Sequence, residues 1–349
     1  MAGASYTEIN KIDKGDRLMS AGFQSFNQVG GDCMAYSRLS GKPWHGLGTA
    51  LAGLATAEEM IQAAKLDWQV ELKRNHFQKS DGTYSESASN EVIRMDSEAS
   101  LGTVGMRYTP VQNTQIFSFF DNIVEIGEAI YETAGSLHGG KKVWVLAKLP
   151  ENSTIMRNGK PDITEKYILL SNAHDGTQAV RCYFTPVRVV CQNTLTASAG
   201  QASNCTSVRH TVSAEIKLKE AHSLMGFVTK YYEEVELRQR YMANSVVPNF
   251  ESLMAFMEEL WPDTTAEKSR AHKKREEALM IYNQERKEWG GDWLSALNAV
   301  TGTVDHSQKA LGPGNTENRM DKIIFGSGAQ LKDKAFELAL KYSGYKEAK

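Results

Sequence analysis

A glycine-rich stretch is the closest approach of this sequence to a phosphate-binding motif. Residues Gly135–Lys142 read GSLHGGKK, which has the GxxxxGK spacing of a phosphate-binding loop. Such a loop needs a Ser or Thr after the lysine and then a helix, because backbone N–H groups and the helix dipole must face the anion. Here Val143 begins the run VWVLAKL, which is typical of a strand. The sequence therefore favours a Gly-Gly hairpin turn with an exposed lysine pair.

The sequence contains no pattern that would predict a metal site or an activated nucleophile. The 8 histidines are scattered, without HxH, HxxxH or HExxH spacing, so no metal site is predicted. Cys191 lies among valines with only Arg188 nearby to favour a thiolate, and a packed apolar side chain is the stronger interpretation. We find no GxSxG motif, and we expect no catalytic residue, no cofactor and no enzymatic activity. One enzymatic alternative is His45 as an acid or base in the turn Pro43–Gly48, although a packed structural turn is favoured.

Basic and aromatic residues interleave along the strands that follow the glycine-rich stretch. The predicted nucleic-acid-binding residues are Lys141, Lys142, Trp144, Lys148, Arg181, Tyr183 and Arg188. Strand alternation puts Lys142, Trp144, Leu146 and Lys148 on one face, opposite an apolar face of Val143, Val145, Ala147 and Leu149. An open face of this kind could follow phosphates and stack bases. On composition alone an ordinary solvated face is the commoner outcome, so both interpretations stay open.

The segment Lys141–Leu195 supplies the sheet that must position these residues. Strands are predicted at Val143–Leu149, Tyr167–Ala173 and Gln178–Phe184, where β-branched and aromatic residues are bounded by Pro, Gly and Asn. Asp175-Gly176 is a hairpin signal between the last two. After Pro186 we expect Val187–Leu195 to begin a helix, because small polar residues follow; continuation as a strand is the alternative. The core is thus a β-meander that leads into a helix.

The segments on either side add further strands and helices. Thr56 and Glu59 have the spacing of a capping box at the start of a helix over Ala57–Leu66. Alternating segments flank Asp81-Gly82, and apolar residues after Thr114 recur at helical spacing. The fold class predicted from these elements is α+β, an antiparallel β-meander packed on helices and followed by a helical C-terminal part. The predicted domains are a flexible tail (residues 1–30), an α+β core (31–212) and a helical region (213–349).

Composition limits the class of protein, its partners and its cellular compartment. The 349 residues are 41% hydrophobic and 23% charged, as in an ordinary globular protein. The formal net charge is −2, so a local patch must hold any anionic partner. Four irregularly spaced cysteines predict a reduced intracellular protein, and we expect neither a signal peptide nor a membrane span.

Several motifs together resemble a known family. They are PWHGLGT (Pro43–Thr49), PVRVVCQNTL (Pro186–Leu195), RHT (Arg209–Thr211), LNAVTGTVDH (Leu297–His306) and FGSGAQLKDKAFELAL (Phe325–Leu340). The combination is similar to phage/plasmid-like proteins that carry a domain of unknown function, found in bacteriophages, plasmids and prophages. The resemblance covers most of the chain. It implies a protein of a mobile element that works in the cytoplasm of a bacterial host, and the family has no settled activity. TGTVDH lacks the acidic or aromatic pair expected before VDH.

A second resemblance concerns the order of elements alone. The order β-β-β-α from Lys141 to about Ala197 resembles the Rad52-like single-strand annealing proteins of phages. Those proteins often assemble into rings and bind single-stranded DNA in a basic groove. This resemblance implies a homo-oligomer, with a ring as one form, but it carries over no catalytic residue.

Two functional hypotheses follow from different classes. The first is a non-enzymatic protein of a phage or mobile element that binds single-stranded DNA, with RNA as an alternative, and anneals strands during recombination. The second is a non-enzymatic structural or host-interaction protein. Its partner anchors would be Trp261, Trp289 and Trp293, although tryptophans at such positions are more often core residues.

Overall fold

The computed structural model describes residues 34–37, 49–51, 55–127, 129–188, 193–194, 205–208, 224–263, 268–306 and 321–346. The predicted N-terminal tail, the turn Pro43–Gly48 with His45, and Cys191 lie outside the described residues. Gly31–Lys349 forms one compact unit, in which the described strands and two helices precede residue 212 and the other described helices follow it. The boundary predicted at residue 212 stays a prediction.

The elements alternate between two sheets and a set of helices. The strands are β1 (Met34–Ser37), β2 (Thr49–Leu51), β3 (Val70–Gln78), β4 (Tyr84–Arg94), β5 (Ala99–Gly105), β6 (Ile130–Leu137), β7 (Lys142–Arg157), β8 (Lys160–Ala173), β9 (Val180–Arg188), β10 (Asn193–Thr194) and β11 (Cys205–Val208). The helices are α1 (Ala57–Ala63), α2 (Asn113–Gly127), α3 (Leu224–Ala243), α4 (Phe250–Leu260), α5 (Lys268–Trp289), α6 (Trp293–His306) and α7 (Ser327–Ser343). The α+β fold class is confirmed.

Among the described residues the larger sheet has eight strands, in the order β10-β9-β8-β7-β6-β1-β2, with β11 also paired to β9. All its pairings are antiparallel except β1 with β2. β3, β4 and β5 form a separate antiparallel sheet. Asp175-Gly176 joins β8 to β9 as predicted, with Gly176 at φ +77°. The central meander is therefore present and extended at both edges.

The glycine-rich stretch is a hairpin turn rather than a phosphate loop. β6 ends at Leu137, a single turn over His138–Gly140 follows, and β7 starts at Lys142. Gly140 has φ +100°, and a Cβ there would stand 3.0 Å from the Trp68 ring. The Arg94 guanidinium lies 4.5 Å above that ring and donates to the Gly139 carbonyl over 3.2 Å. The turn thus holds the small sheet against the large one.

Local polar contacts fix the helices. At α1 the Thr56 hydroxyl accepts from the Glu59 N–H over 3.2 Å, and a Glu59 carboxylate oxygen accepts from the Thr56 N–H over 2.9 Å. The predicted capping box is confirmed. The Tyr232 hydroxyl of α3 donates to the Tyr167 carbonyl over 2.6 Å and accepts from the Tyr167 N–H over 2.9 Å. That pair of bonds docks α3 on β8.

The helical part has its own interior. Every residue of α6 from Trp293 to Asp305 is buried, as expected for a helix enclosed on all sides. Trp261, Trp289 and Trp293 are each at most 6% exposed. Their prediction as partner anchors is wrong, because the helices pack around them. Within the described ranges, none of the helices has the length and apolar character needed for a bilayer span.

The predicted helix over Val187–Leu195 is also wrong. β9 continues through Pro186 to Arg188 in register with Lys166 to Thr164 of β8, and the short β10 follows. Pro186 lies between the β11 and β10 pairings, where the outer edge of β9 has no strand partner among the described residues. A residue without an N–H is tolerated at such an edge. Among the described residues of this stretch, the β-β-β-α order behind the Rad52-like resemblance is therefore not seen.

Candidate functional surface

β7 separates two apolar clusters, as its alternation predicts. Val143, Val145, Ala147 and Leu149 lie in the main core. Trp144 and Leu146 point to the opposite face and join a second cluster, whose other buried members are Leu137, Tyr167 and Leu169. The assignment of residues to faces is confirmed. What lies over the second face decides its function.

Residues 321–325, here named the cover segment, lie over that second face. Ile324 and Phe325 pack against the second cluster, and the Phe325 ring centroid is 6.2 Å from that of Tyr183. Lys142 Nζ lies 4.8 Å from the Phe325 centroid. Trp144 is only 1% exposed. This face is therefore enclosed, and Trp144 has no surface on which a base could stack while the cover segment is in place.

The two lysines at the ends of this face have carboxylate partners. Lys142 pairs with Asp321 of the cover segment, and His138 Nε2 lies 3.7 Å from the same carboxylate. Lys148 pairs with Glu165. The Tyr167 hydroxyl donates to Glu165 over 2.6 Å, because burial and the nearby carboxylates raise the pKa of Tyr167 well above its usual range. Both lysine charges are thus neutralised within the protein.

The remaining predicted residues lie at the margins of the face. Lys141 and Arg181 are exposed, and Arg181 donates to the Tyr183 hydroxyl over 3.4 Å. Arg181 shares a cross-strand row with Ser171 and Trp144. Arg188 ends β9 opposite Thr164, and its side chain is outside the described part of the chain. The structure therefore brings the predicted residues onto or next to one sheet, and Lys141 and Arg181 are the two whose described side chains are exposed.

A charge exchange measures how firmly the cover segment is held. Lys142→Glu should place two carboxylates against each other and destabilise the fold by about 1–3 kcal/mol, since the site is partly buried. Adding Asp321→Lys should restore most of that loss, a coupling that urea unfolding of both single variants and the double variant reports. Strictly additive effects would mean that the pair does not hold the cover segment.

An exposed aromatic surface lies elsewhere, on the small sheet. β4 pairs with β5 only from Ser89 onward, and Arg74 pairs with Asn90 at the edge of the three-stranded part. Beyond Arg74, β3 and β4 continue as a two-stranded ribbon, and residues 74–88 are here named the β-arm. Phe77 is 53% exposed and Tyr84 is 69% exposed. They belong to neighbouring cross-strand pairs, with Ser85 and Gln78 respectively, and so point to opposite faces of the ribbon. Sequence reasoning found these strands but missed the arm, although exposed polar residues on both of its faces were the available signal.

The tip of the β-arm is a hydrogen-bonded turn, and the arm as a whole has balanced charge. The Thr83 hydroxyl and N–H donate to the Asp81 carboxylate over 2.6 and 2.9 Å, and these bonds lower the pKa of Asp81. Gly82 follows with φ +84°. Between residues 74 and 88 the arm carries Arg74 and Lys79 against Asp81 and Glu86. The arm thus offers aromatic and polar contacts with almost no net charge of its own.

A buried histidine is the remaining candidate for chemistry. His174 is fully buried, with its Nε2 3.0 Å from Asn113 Oδ1 and its ring centroid 5.3 Å from that of Trp68. Asn113 in turn donates to the Leu66 carbonyl over 3.0 Å. These contacts tie the start of α2 to the β8–β9 turn and explain why the ring is enclosed. Among the described residues, no three His, Cys, Asp or Glu side chains are grouped to hold a metal.

Comparison with known proteins places the chain in a family. A family model described as DUF932, a domain of unknown function, matches residues 100–325. No curated protein and no solved structure matched the chain. The matched range runs from β5 to the end of the cover segment, so it contains the whole enclosed face, whereas the β-arm precedes it. The chain belongs to the DUF932 family.

Proposed function

We propose that this protein binds single-stranded nucleic acid, DNA or RNA, through its β-arm and without catalysis. The observation that carries the proposal is the pair of exposed aromatic rings, Phe77 and Tyr84, on opposite faces of one narrow ribbon. Unpaired bases have apolar faces that stack on such rings, and duplex bases do not offer them. In this proposal the enclosed face of β7 has a structural role, as part of the second hydrophobic cluster.

Charge distribution shapes how such binding would respond to salt. The β-arm has two basic and two acidic residues, so stacking supplies more of the affinity than phosphate neutralisation. Lys141 and Arg181, the exposed members of the predicted set, would add phosphate contacts beyond the arm. The slope of log affinity against log salt should therefore be shallow, about −2 or smaller in magnitude.

Removing both rings tests the proposal directly. The Phe77→Ala, Tyr84→Ala variant should bind a labelled oligonucleotide at least roughly tenfold more weakly, since each stacked base is worth about 1–3 kcal/mol. Both side chains are mostly exposed, so stability should change little. Fluorescence anisotropy at low and moderate salt gives the affinities, and urea unfolding checks the fold.

Phe250→Ala is the matched control, because Phe250 is an aromatic residue that is 57% exposed in the helical part. It should leave oligonucleotide affinity unchanged. Wild-type protein that fails to bind DNA or RNA at low salt would refute the function, and equal losses in both variants would refute the role of the arm.

A second candidate is a protein partner that docks on the same arm. The balanced charge of the arm favours it, because protein interfaces deplete charge and enrich aromatic residues. Incubation of the wild type and the arm variant with nuclease-treated host lysate separates the candidates. A partner retained by the wild type and lost by the arm variant, together with absent oligonucleotide binding, would replace the nucleic-acid proposal.

The proposal extends to a biological setting that the resemblance implies. We place the protein in a phage or other mobile element within the bacterial cytoplasm, where it would self-assemble and anneal strands. The exposed rings of the β-arm and the α+β core that carries the arm support the binding step of this proposal. Mass photometry with and without oligonucleotide, followed by a strand-annealing assay, tests the rest; a monomer that never anneals would limit the function to binding.

A further inference from the structure

A cavity of about 210 Å³ lies in the helical part, beside the cover segment. Lys322 and Ile323 of the cover segment line it, while the next two residues pack on the sheet face. Apolar side chains such as Val304 and Leu331 form much of the remaining wall. The cavity is thus a mixed site, with an apolar body and a few charged groups.

Two lysines contribute positive charge to this wall. Lys274 of α5 is half-buried and Lys322 is exposed. Among the described residues neither has a carboxylate within ion-pair distance, in contrast to the nearby Arg275, which pairs with Asp263 over 2.6 Å. Glu277 is the acidic residue on the wall. The two lysines therefore favour an anion, and Glu277 favours a ligand that also carries a hydrogen-bond donor.

The start of α7 also lines the cavity, through Ser327 and Gly328. Gly326 takes the N-cap position, and no side chain caps this end of the 17-residue helix. The first-turn N–H groups and the helix dipole of such an end favour negative charge. At Gly328 a Cβ would lie 2.8 Å from the Lys322 carbonyl oxygen, so only glycine lets the helix start approach the cover segment this closely.

An unsatisfied donor on the wall points independently to a ligand. Trp261 lines the cavity and is 6% exposed, yet its Nε1–H has no acceptor among the described residues. The hydroxyl of Thr303, also on the wall, already donates to the Ala299 carbonyl over 2.8 Å. A buried N–H without an acceptor costs free energy that a bound oxygen atom would recover.

We propose that this cavity binds a small phosphorylated molecule. Lys274, Lys322, the Ser327 hydroxyl and the start of α7 would hold the phosphate, and the Trp261 N–H would donate to one of its oxygens. Glu277 would accept from a hydroxyl or amine of the ligand, beside the apolar wall. This site is separate from the β-arm and does not depend on the proposed function.

Inorganic phosphate is the first probe, with chloride at matched ionic strength as the reference. Wild-type protein should show saturable binding in the millimolar range or tighter by calorimetry, with a change in tryptophan fluorescence and a rise in Tm. Lys274→Gln with Lys322→Gln should weaken phosphate binding by roughly tenfold or more, because charge-assisted bonds are lost. Trp261→Phe keeps the shape of the wall and should weaken binding by a smaller factor.

Lys273→Gln is the matched control, since Lys273 is an exposed neighbour on α5 that does not line the cavity. It should bind phosphate like the wild type, and so should the Phe77→Ala, Tyr84→Ala variant. Absence of saturable binding to wild-type protein at roughly 10 mM phosphate would overturn the proposal. Equal binding by the double lysine variant, folded as judged by its unfolding transition, would overturn it as well.

Discussion

Replacing Arg157 by alanine should lower the free energy of unfolding by about 3–5 kcal/mol, one of the largest losses that a single substitution can cause here. Arg157 is 3% exposed, and its guanidinium donates to Asp162 and to Asp292 over 2.7 Å each. It also donates to the Ser295 hydroxyl over 2.6 Å. Without the arginine two buried carboxylates would face each other with no cation between them. Urea unfolding measures the loss.

The position of Arg157 makes this effect global rather than local. Arg157 ends β7, and Asp162 lies in the next strand of the same hairpin. Asp292 caps α6, because its carboxylate accepts from the Ser295 N–H over 2.7 Å. The network therefore joins the large sheet to the enclosed helix of the C-terminal part. Its loss should reduce the cooperativity of unfolding as well as the stability.

The pH dependence of the variant follows from Asp292. Burial raises the pKa of Asp292 above its ordinary value of 3.8, and Arg157 opposes that rise. Removing Arg157 should raise the pKa further, so the folded variant takes up a proton more readily than the unfolded chain does. Stability tied to that proton is present at acidic pH and is lost as the pH rises through the folded-state pKa. The deficit relative to wild type should therefore be larger at neutral pH than at about pH 4.

Lys160→Ala provides the control on the same hairpin. Lys160 pairs with Glu288 over 3.8 Å, and both side chains are more than half exposed. An exposed pair of this kind is worth roughly 0–1 kcal/mol. A comparable loss in both variants, or a deficit in Arg157→Ala that does not depend on pH, would contradict the account of a buried charge network.

Local patterns in the sequence identify most of the individual elements. The capping box at Thr56, the Asp175-Gly176 hairpin and the two faces of β7 all depend on residues a few positions apart. The sequence pattern does not predict β6, because the centre of this strand is Ala134, Gly135 and Ser136, which lack the β-branched side chains that are typical of a strand. Burial between β1 and β7 makes it a strand all the same.

Whether the second face of β7 is open or covered depends on contacts between residues that are far apart in the sequence. Lys142 meets Asp321 across 179 positions of sequence, and Phe325 comes from the same distant segment. Alternation along β7 can separate two faces, but a period of two residues cannot tell solvent from a second cluster. The alternating lysines and Trp144 therefore predicted an open surface at a place that the chain itself covers.

Trp144 is where the two interpretations of that face differ most. Trp144→Ala should lower the free energy of unfolding by about 3–5 kcal/mol, because the side chain is 1% exposed and belongs to the second cluster with Leu137 and Leu169. Trp144→Phe retains most of the apolar contact and should cost less, about 1–2 kcal/mol. Urea unfolding of both variants gives the values.

The same variants decide which surface contacts nucleic acid. Folded Trp144→Phe protein should bind an oligonucleotide as tightly as the wild type, whereas Tyr84→Ala should lose affinity and keep its stability, since Tyr84 is 69% exposed. A base that stacked on Trp144 would have to displace the cover segment and leave the Lys142–Asp321 pair broken. If Trp144→Phe weakened binding while Tyr84→Ala did not, the cover segment would have to open in solution, and the β7 face rather than the β-arm would be the binding surface.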